Sequence, residues 1–215
     1  MFPAPPPKPD PGPRWRRRAE ARPEEILDAA LAEFTERGFE AARMEDIAKT
    51  AGISKAAIYL YFPSKTALLE ALIEAKIGPL ARQVQALAMA GHADPLMALR
   101  MLATAAAHRI GDARVFAVPR LVIGLSGRFP EIAAYYRTHV VDKARGALEA
   151  LIEAGKAKGV IRAVDTKAVA RAFIGPLLFE GLWTHVLGGE SALGDPQKLI
   201  ESQFDILLGG LENRA

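Results

Sequence analysis

Residues 44–63, MEDIAKTAGISKAAIYLYFP, constrain this chain more than any other stretch. Ala48 is small enough to let a second helix approach closely. Gly52, four residues on, supplies the positive φ that ends one helix and turns the chain, and the β-branched Ile58 follows six residues later. Two short helices packed face to face are predicted, one from about Met44 to Ala51 and one capped by Ser54 that ends near Phe62 and Pro63. Ile47, Ala51, Ile53, Ile58 and Tyr61 supply their shared apolar contact. That spacing is the helix-turn-helix pattern. Its second helix turns Lys55, Ala56, Ala57, Tyr59 and Leu60 outward, a short face suited to a major groove. Arg43, Lys49, Lys55 and Lys65 against Glu45 and Asp46 leave residues 43–65 at +2. The bland reading of the same stretch is a helical hairpin with a solvated face.

The remaining sequence is helical in pattern. Alternation of β-branched and polar residues at period 2 is missing, and Ala, Leu, Glu, Arg and Lys dominate. Pro23 with Glu24 and Glu25 reads as the first turn of a helix whose apolar stripe is Ile26, Leu27, Ala30, Leu31 and Phe34, stopped by Gly38. Ser64, Asp94 and Asp195 read as N-caps, the last two followed by Pro at the first helical position. Pro130 opens another helix, and Asp165 caps a further one. Gly78 with Pro79 is expected to kink or break the long fourth helix, and Gly175 with Pro176 to bend a later one. About nine helices result, an all-α chain.

Charge distribution separates the start from the body. The chain has 28 Lys and Arg against 25 Asp and Glu. Residues 1–22 carry six of the bases and two of the acids, +4, which leaves the rest at −1. Seven prolines in residues 1–13 point to an extended arm, and Arg14, Arg16, Arg17 and Arg18 follow it. The expected organisation is an arm over 1–21, a DNA-binding domain over 22–80 and a second helical domain over 81–215. The arm is read either as a solvated tail or as a reach into the minor groove and neighbouring phosphates.

The string GFEAARMEDIAKTAGISKAAIYLYFPSK, residues 38–65, resembles the DNA-binding domain of the TetR family of transcriptional regulators, and the likeness extends over residues 22 to about 75. The resemblance implies an all-helical homodimer, an N-terminal helix-turn-helix domain, and a divergent C-terminal bundle that binds a small-molecule effector. It implies double-stranded DNA with a palindromic operator as partner, and release of the DNA by ligand. Tyr59 and Lys65 match positions that contact phosphates, and Lys55, Ala56 and Ala57 match the base-facing start of the recognition helix. The set expected at the DNA is Arg43, Met44, Ser54, Lys55, Ala56, Ala57, Tyr59, Leu60, Tyr61 and Lys65. Two departures stand out. Ala42 replaces the usual capping Thr, and Ala56 and Ala57 replace the frequent Gly and Thr, which shifts base readout toward thymine-methyl contact.

Beyond residue 80 the pattern is less specific. Residues 120–136, RLVIGLSGRFPEIAAYY, resemble a segment found in one group of TetR-family C-terminal domains. Phe116, Arg120, Tyr135, Tyr136, Phe173 and Trp183, together with His108, are the candidates for a ligand cavity with aromatic walls and a few polar groups. For each aromatic, ordinary core packing is the competing reading. Val169, Ala172, Phe173, Pro176, Leu177 and Trp183 form one stripe. Leu199, Ile200, Phe204, Leu207, Leu208 and Leu211 form another. Periodicity fits an intrachain or an intersubunit face equally; the resemblance assigns the last two helices to a four-helix dimer interface.

Other classes are weighed against this. With no Cys there is no disulfide or thiolate site, and the four His are scattered without a metal-ligand spacing, so neither metal nor cofactor is expected. Gly124, Leu125, Ser126 and Gly127 lack the GxSxG spacing of a nucleophile elbow, and no phosphate-binding glycine loop occurs. No apolar run is long enough to cross a bilayer and the N-terminus lacks a continuous apolar segment, so a soluble, cytoplasmic protein with no membrane partner is expected. The alternative to an operator-binding regulator is a helical small-molecule sensor without DNA binding, with Ala42, Ala56 and Ala57 in its favour. An enzyme is the third class, and its parts are missing.

Overall fold

The structure, a computed structural model, describes residues 14–91 and 93–212, without the side chains of residues 14–22 and Leu80. Among these residues it holds ten α-helices and no strand: α1 (Arg14–Arg37), α2 (Met44–Thr50), α3 (Lys55–Tyr61), α4 (Lys65–Ala90), α5 (Pro95–Ile110), α6 (Ala113–Leu125), α7 (Pro130–Tyr136), α8 (Asp142–Ala157), α9 (Thr166–His185) and α10 (Pro196–Leu211). A π-helical turn, Arg137–Val141, joins α7 to α8 without a break, so the described residues form nine separate rods.

Most caps sit where the sequence puts them. The side chains of Ser54, Ser64, Asp94, Asp165 and Asp195 each accept a hydrogen bond from a first-turn backbone N–H, at 2.8–3.1 Å. Three expectations change. Helix α1 starts at Arg14 rather than Pro23, and Pro23 lies inside it; Ala19, Glu20, Ala21 and Arg22 are good helix formers that favour continuation through the one lost hydrogen bond. Residues 14–21 of the expected arm are therefore helical backbone, and residues 1–13 lie outside the described residues. Pro79 does not break its helix, since α4 runs unbroken past it, and Pro176 likewise lies inside α9, where only a bend is expected.

The chain divides into two units, one running to Leu68 and the other from Leu69. In the first unit α1 buries Ile26, Leu27, Ala30 and Phe34, which form a core with Phe39, Ile47, Ile58 and Phe62. The Phe34 and Phe39 rings meet at 5.1 Å. Glu33, buried on α1, accepts a hydrogen bond from the Thr50 hydroxyl at 3.0 Å and pairs with Arg37 at 3.3 Å, and Arg37 also pairs with Asp46 of α2 at 3.6 Å. This small network fixes α2 against α1.

The second unit packs α5 along α10 and α8 against α9. Leu99, Leu102, Leu151, Ile152, Phe173 and Phe204 lie in its core, and the last two rings stack at 4.5 Å. The absence of a side chain at Gly155 admits Ile161, whose bridge to Glu212 ties the connection after α8 to the end of α10. Six of the twelve residues in the two expected stripes, Val169, Phe173, Ile200, Phe204, Leu208 and Leu211, are buried in this intrachain core, whereas Ala172 and Trp183 are exposed. The exposed large apolar residues of α9 and α10 are Leu178, Phe179, Trp183 and Ile206.

Candidate DNA-binding surface and ligand cavity

Between α2 and α3 the turn is closed as its sequence demands. Gly52 takes φ 68°, Ile53 N–H reaches the Ala48 carbonyl at 2.9 Å and Gly52 N–H reaches Lys49 at 3.1 Å. Those two bonds form the Schellman closure that only a left-handed residue at position 52 permits. Ile47, Ala48 and Ile58 are buried in the contact, Ala51 and Ile53 are half-buried, and Tyr61 is exposed rather than shared. Ser54 caps α3 by accepting from Ala57 N–H at 3.1 Å, which commits its hydroxyl to the helix.

Helix α3 then presents Lys55, Ala56, Tyr59 and Leu60 on its open face. Leu60 is 87% exposed. Ala57 is half-buried. Lys55 is held by Glu45 at 2.7 Å, and this bond pushes the Lys55 ammonium above the usual lysine value and the Glu45 carboxyl below its own. The pair links the first residue of α3 to the first turn of α2, so Lys55 is exposed but already engaged.

Arg43, Tyr59, Ser64 and Lys65 border one shallow concavity at the starts of α2 and α4. Arg43 is exposed and sits at the N-cap position of α2, where no side chain caps the helix; Ala42, beside it, is buried. Met44, expected at the DNA, is 6% exposed and packs in the core, while it also borders this concavity. Lys65 behaves differently from a free phosphate ligand. Its Nζ donates to the carbonyls of Glu40 at 3.0 Å and Ala42 at 2.9 Å and stands 4.8 Å over the Phe39 ring. Partial burial holds its ammonium below the ordinary value, while Glu40 pulls the other way. Lys65 therefore clasps the turn between α1 and α2, with one N–H of its three left over.

The second unit contains a cavity of about 270 Å³. Its walls are almost all carbon, from Leu87, Leu102, Phe116, Leu148, Phe173 and Leu177 among others, and its polar side chains are Gln83, Arg109, Asp112 and Tyr136. The π-helical turn shapes one wall: it carries Val140 and Val141, consecutive residues, to the same cavity as Tyr136 and Ala144. Pro119 on α6 also faces it and offers no N–H to the carbonyl of Val115.

Of the seven candidate ligand residues, Phe116, Tyr136 and Phe173 line this cavity. The other four do not. His108 is exposed and faces Glu201 at 3.9 Å. Arg120 is exposed and donates to the His185 carbonyl at 3.2 Å. Tyr135 stacks on His139 at 4.0 Å. Trp183 donates its indole N–H to the Glu190 carbonyl at 2.8 Å and stacks on Phe179. Arg109, Gln83 and Asp112 were not among the candidates; α4 carries Gln83 to the cavity, and the last turn of α5 and the short connection to α6 bring Arg109 and Asp112. Among the described residues no group of three or more His, Asp or Glu is placed to hold a metal, and no helix is long and apolar enough to cross a membrane.

Two short helices, a left-handed glycine turn and an outward second helix define a helix-turn-helix DNA-binding regulator. The chain belongs to the TetR family. The profile described as "Bacterial regulatory proteins, tetR family" matches residues 26–72, and that of the "AefR-like transcriptional repressor, C-terminal domain" matches residues 97–208, more than half of the chain. The HTH-type transcriptional regulator RutR of Escherichia coli is 46% identical over 57 residues, 26% of this chain and 27% of that protein, so this match spans about a quarter of each. The probable HTH-type transcriptional regulator ArpR of Pseudomonas putida is 27% identical over 202 residues, 90% of this chain and 95% of ArpR. Among solved structures, the flavonoid-responsive regulator FrrA superposes with a TM-score of 0.65 at 29% identity, covering 91% of this chain and all of FrrA. The family is one of transcriptional regulators and not of enzymes.

Proposed function

We propose that this chain is a cytoplasmic, dimeric repressor held on a palindromic operator by two copies of α3 and released by a small molecule in the cavity of the second unit. The observation that carries the reading is the open face of α3. Leu60 at 87% exposure is almost free of the unit's own packing and Tyr59 at 42% is half open, and both are suited to base edges and backbone. Arg43 and Lys65 at the flanking helix starts are placed for phosphates. Lys65 reaches them with its remaining N–H, and Lys55 by leaving Glu45.

Several observations support the finer points. The description of the C-terminal profile as a transcriptional repressor favours repression. FrrA responds to flavonoids, which favours a ligand-released regulator here. Stacked Phe179 and Trp183, with Leu178 and Ile206, give α9 and α10 an exposed apolar face of the kind that marks an association site. Helix α4 contributes Lys65 to the first unit and Ile77, Val84 and Leu87 to the cavity, so a shift along it is the proposed route of release. A ligand acts this way only by binding one arrangement more tightly than the other. The test is a titration of full-length protein against an operator found by selection. Specific binding that Tyr59→Ala abolishes supports the reading; equal affinity for operator and random duplex refutes it.

A further inference from the structure

The polar side chains around the cavity are unequally satisfied, and the imbalance selects a ligand. Asp112 is fully used: its carboxylate accepts from Arg114 through the backbone N–H and Nε, both at 3.0 Å, and through Nη2 at 2.9 Å. Those bonds hold the Asp112 carboxyl below its ordinary range and neutralise the rim's negative charge. Arg109 is not matched in this way. Its partner among the described residues is the amide oxygen of Gln83 at 3.0 Å, a neutral acceptor that engages one of five guanidinium donors. Tyr136 lines the same cavity with no protein acceptor for its hydroxyl among the described residues. Burial pushes its phenol up to about 12, so it is a donor at neutral pH and not an anion.

The cavity thus offers a cation and a hydroxyl donor set in carbon walls, with its only carboxylate already occupied. We propose that it takes an amphipathic carboxylate, a medium-length hydrocarbon or aryl body ending in an acid whose oxygens accept from Arg109 and Tyr136. The planar guanidinium matches the two oxygens of a carboxylate, and four of its five donors are left open to one. Cationic amphiphiles are disfavoured by the same arginine. At about 270 Å³ the cavity lies just below the range that holds drug-sized ligands, which suits a ten-carbon chain or a bicyclic acid. This class rests on the reading of the cavity as the effector site.

Calorimetric titration of the full chain with decanoate, 1-decanol and decyltrimethylammonium at one neutral pH tests it. Decanoate is expected to bind at least about tenfold more tightly than decanol, a difference of ~1.4 kcal/mol, with the ammonium weakest. Arg109→Gln is expected to erase the preference of acid over alcohol, Arg109→Lys to retain part of it, and Tyr136→Phe to reduce it severalfold. Thermal melts confirm that each variant is folded. Equal binding of acid and alcohol, tighter binding of the ammonium, no binding of any probe, or a preference that survives Arg109→Gln overturns the proposal. DNA binding by the same ligand-free preparations is read in parallel. If it holds while decanoate fails, the ligand class is wrong and the regulator reading stands.

Discussion

Replacing Gly181 by Ala probes how the cavity wall is built. Gly181 is buried in α9, and a Cβ built there would lie 2.4, 2.6 and 3.1 Å from three ring carbons of Phe116. Real methyl groups do not approach so closely, so the ring must move. Phe116 is itself buried, 5.8 Å from the His185 ring, and His185 is anchored by Nε2 to the Ile110 carbonyl at 2.9 Å. The ring's open side is the cavity it lines. Removing a helical glycine gains up to about 1 kcal/mol, and overpacking costs about 1–3 kcal/mol, so the net effect is a loss. Gly146→Ala on α8 is the control, because nothing lies within 4 Å of its Cβ; only the helical gain applies. The two variants should differ by about 1–3 kcal/mol, each kcal/mol shifting the midpoint by roughly 2–4 °C in a chain of this size. Melting by circular dichroism at one protein concentration reads this directly. Phe116→Leu in the Gly181→Ala background should recover part of the loss. If Gly181→Ala melts as high as Gly146→Ala, the described packing of α9 against α6 is wrong.

Four further predictions concern the first unit. Lys65→Met removes two charge-assisted hydrogen bonds and a ring contact, and should cost about 2 kcal/mol after allowance for the solvent-exposed bond; a lysine that only met phosphate would leave the urea midpoint unchanged. Leu60→Ala should leave stability within about 0.5 kcal/mol while weakening operator binding, whereas Arg43→Ala should flatten the salt dependence by about 2 units of slope for a dimer, near 0.9 per lost phosphate contact. Ser54→Ala should lower stability by about 1 kcal/mol through the lost cap of α3, measured by denaturant titration.

Local rules made the first unit legible. Gly52, Ser54 and Ser64 fix the backbone within a few residues of themselves, and each performs the task its sequence position implies. What sequence could not show was direction. Met44 turns inward, and Lys65 bends back to the carbonyls of Glu40 and Ala42, because both answer to a neighbouring turn rather than to their own helix. The second unit was legible as helices but not as a cavity. Its stripes at Val169 and Phe204 were correctly apolar, yet periodicity does not say whether the face opposite is the same chain or a partner. Arg109 and Asp112 escaped notice for a similar reason: a charged residue at a helix end is ordinary until a fold sets it beside a hollow. The π-helical turn has no simple sequence mark, although the β-branched run of Thr138, Val140 and Val141 weakens regular helix there.

Whether α3 reads a DNA sequence is decided by binding selection. Full-length protein is incubated with a pool of random duplexes, bound DNA is recovered over several rounds, and the enriched sequence is titrated against wild type and Tyr59→Ala. A palindrome should emerge with half-sites a helical turn or a multiple apart, bound at least about a hundredfold more tightly than random duplex and lost in the variant. A pool that stays random, or an enriched site that Tyr59→Ala binds as well as wild type does, would contradict it.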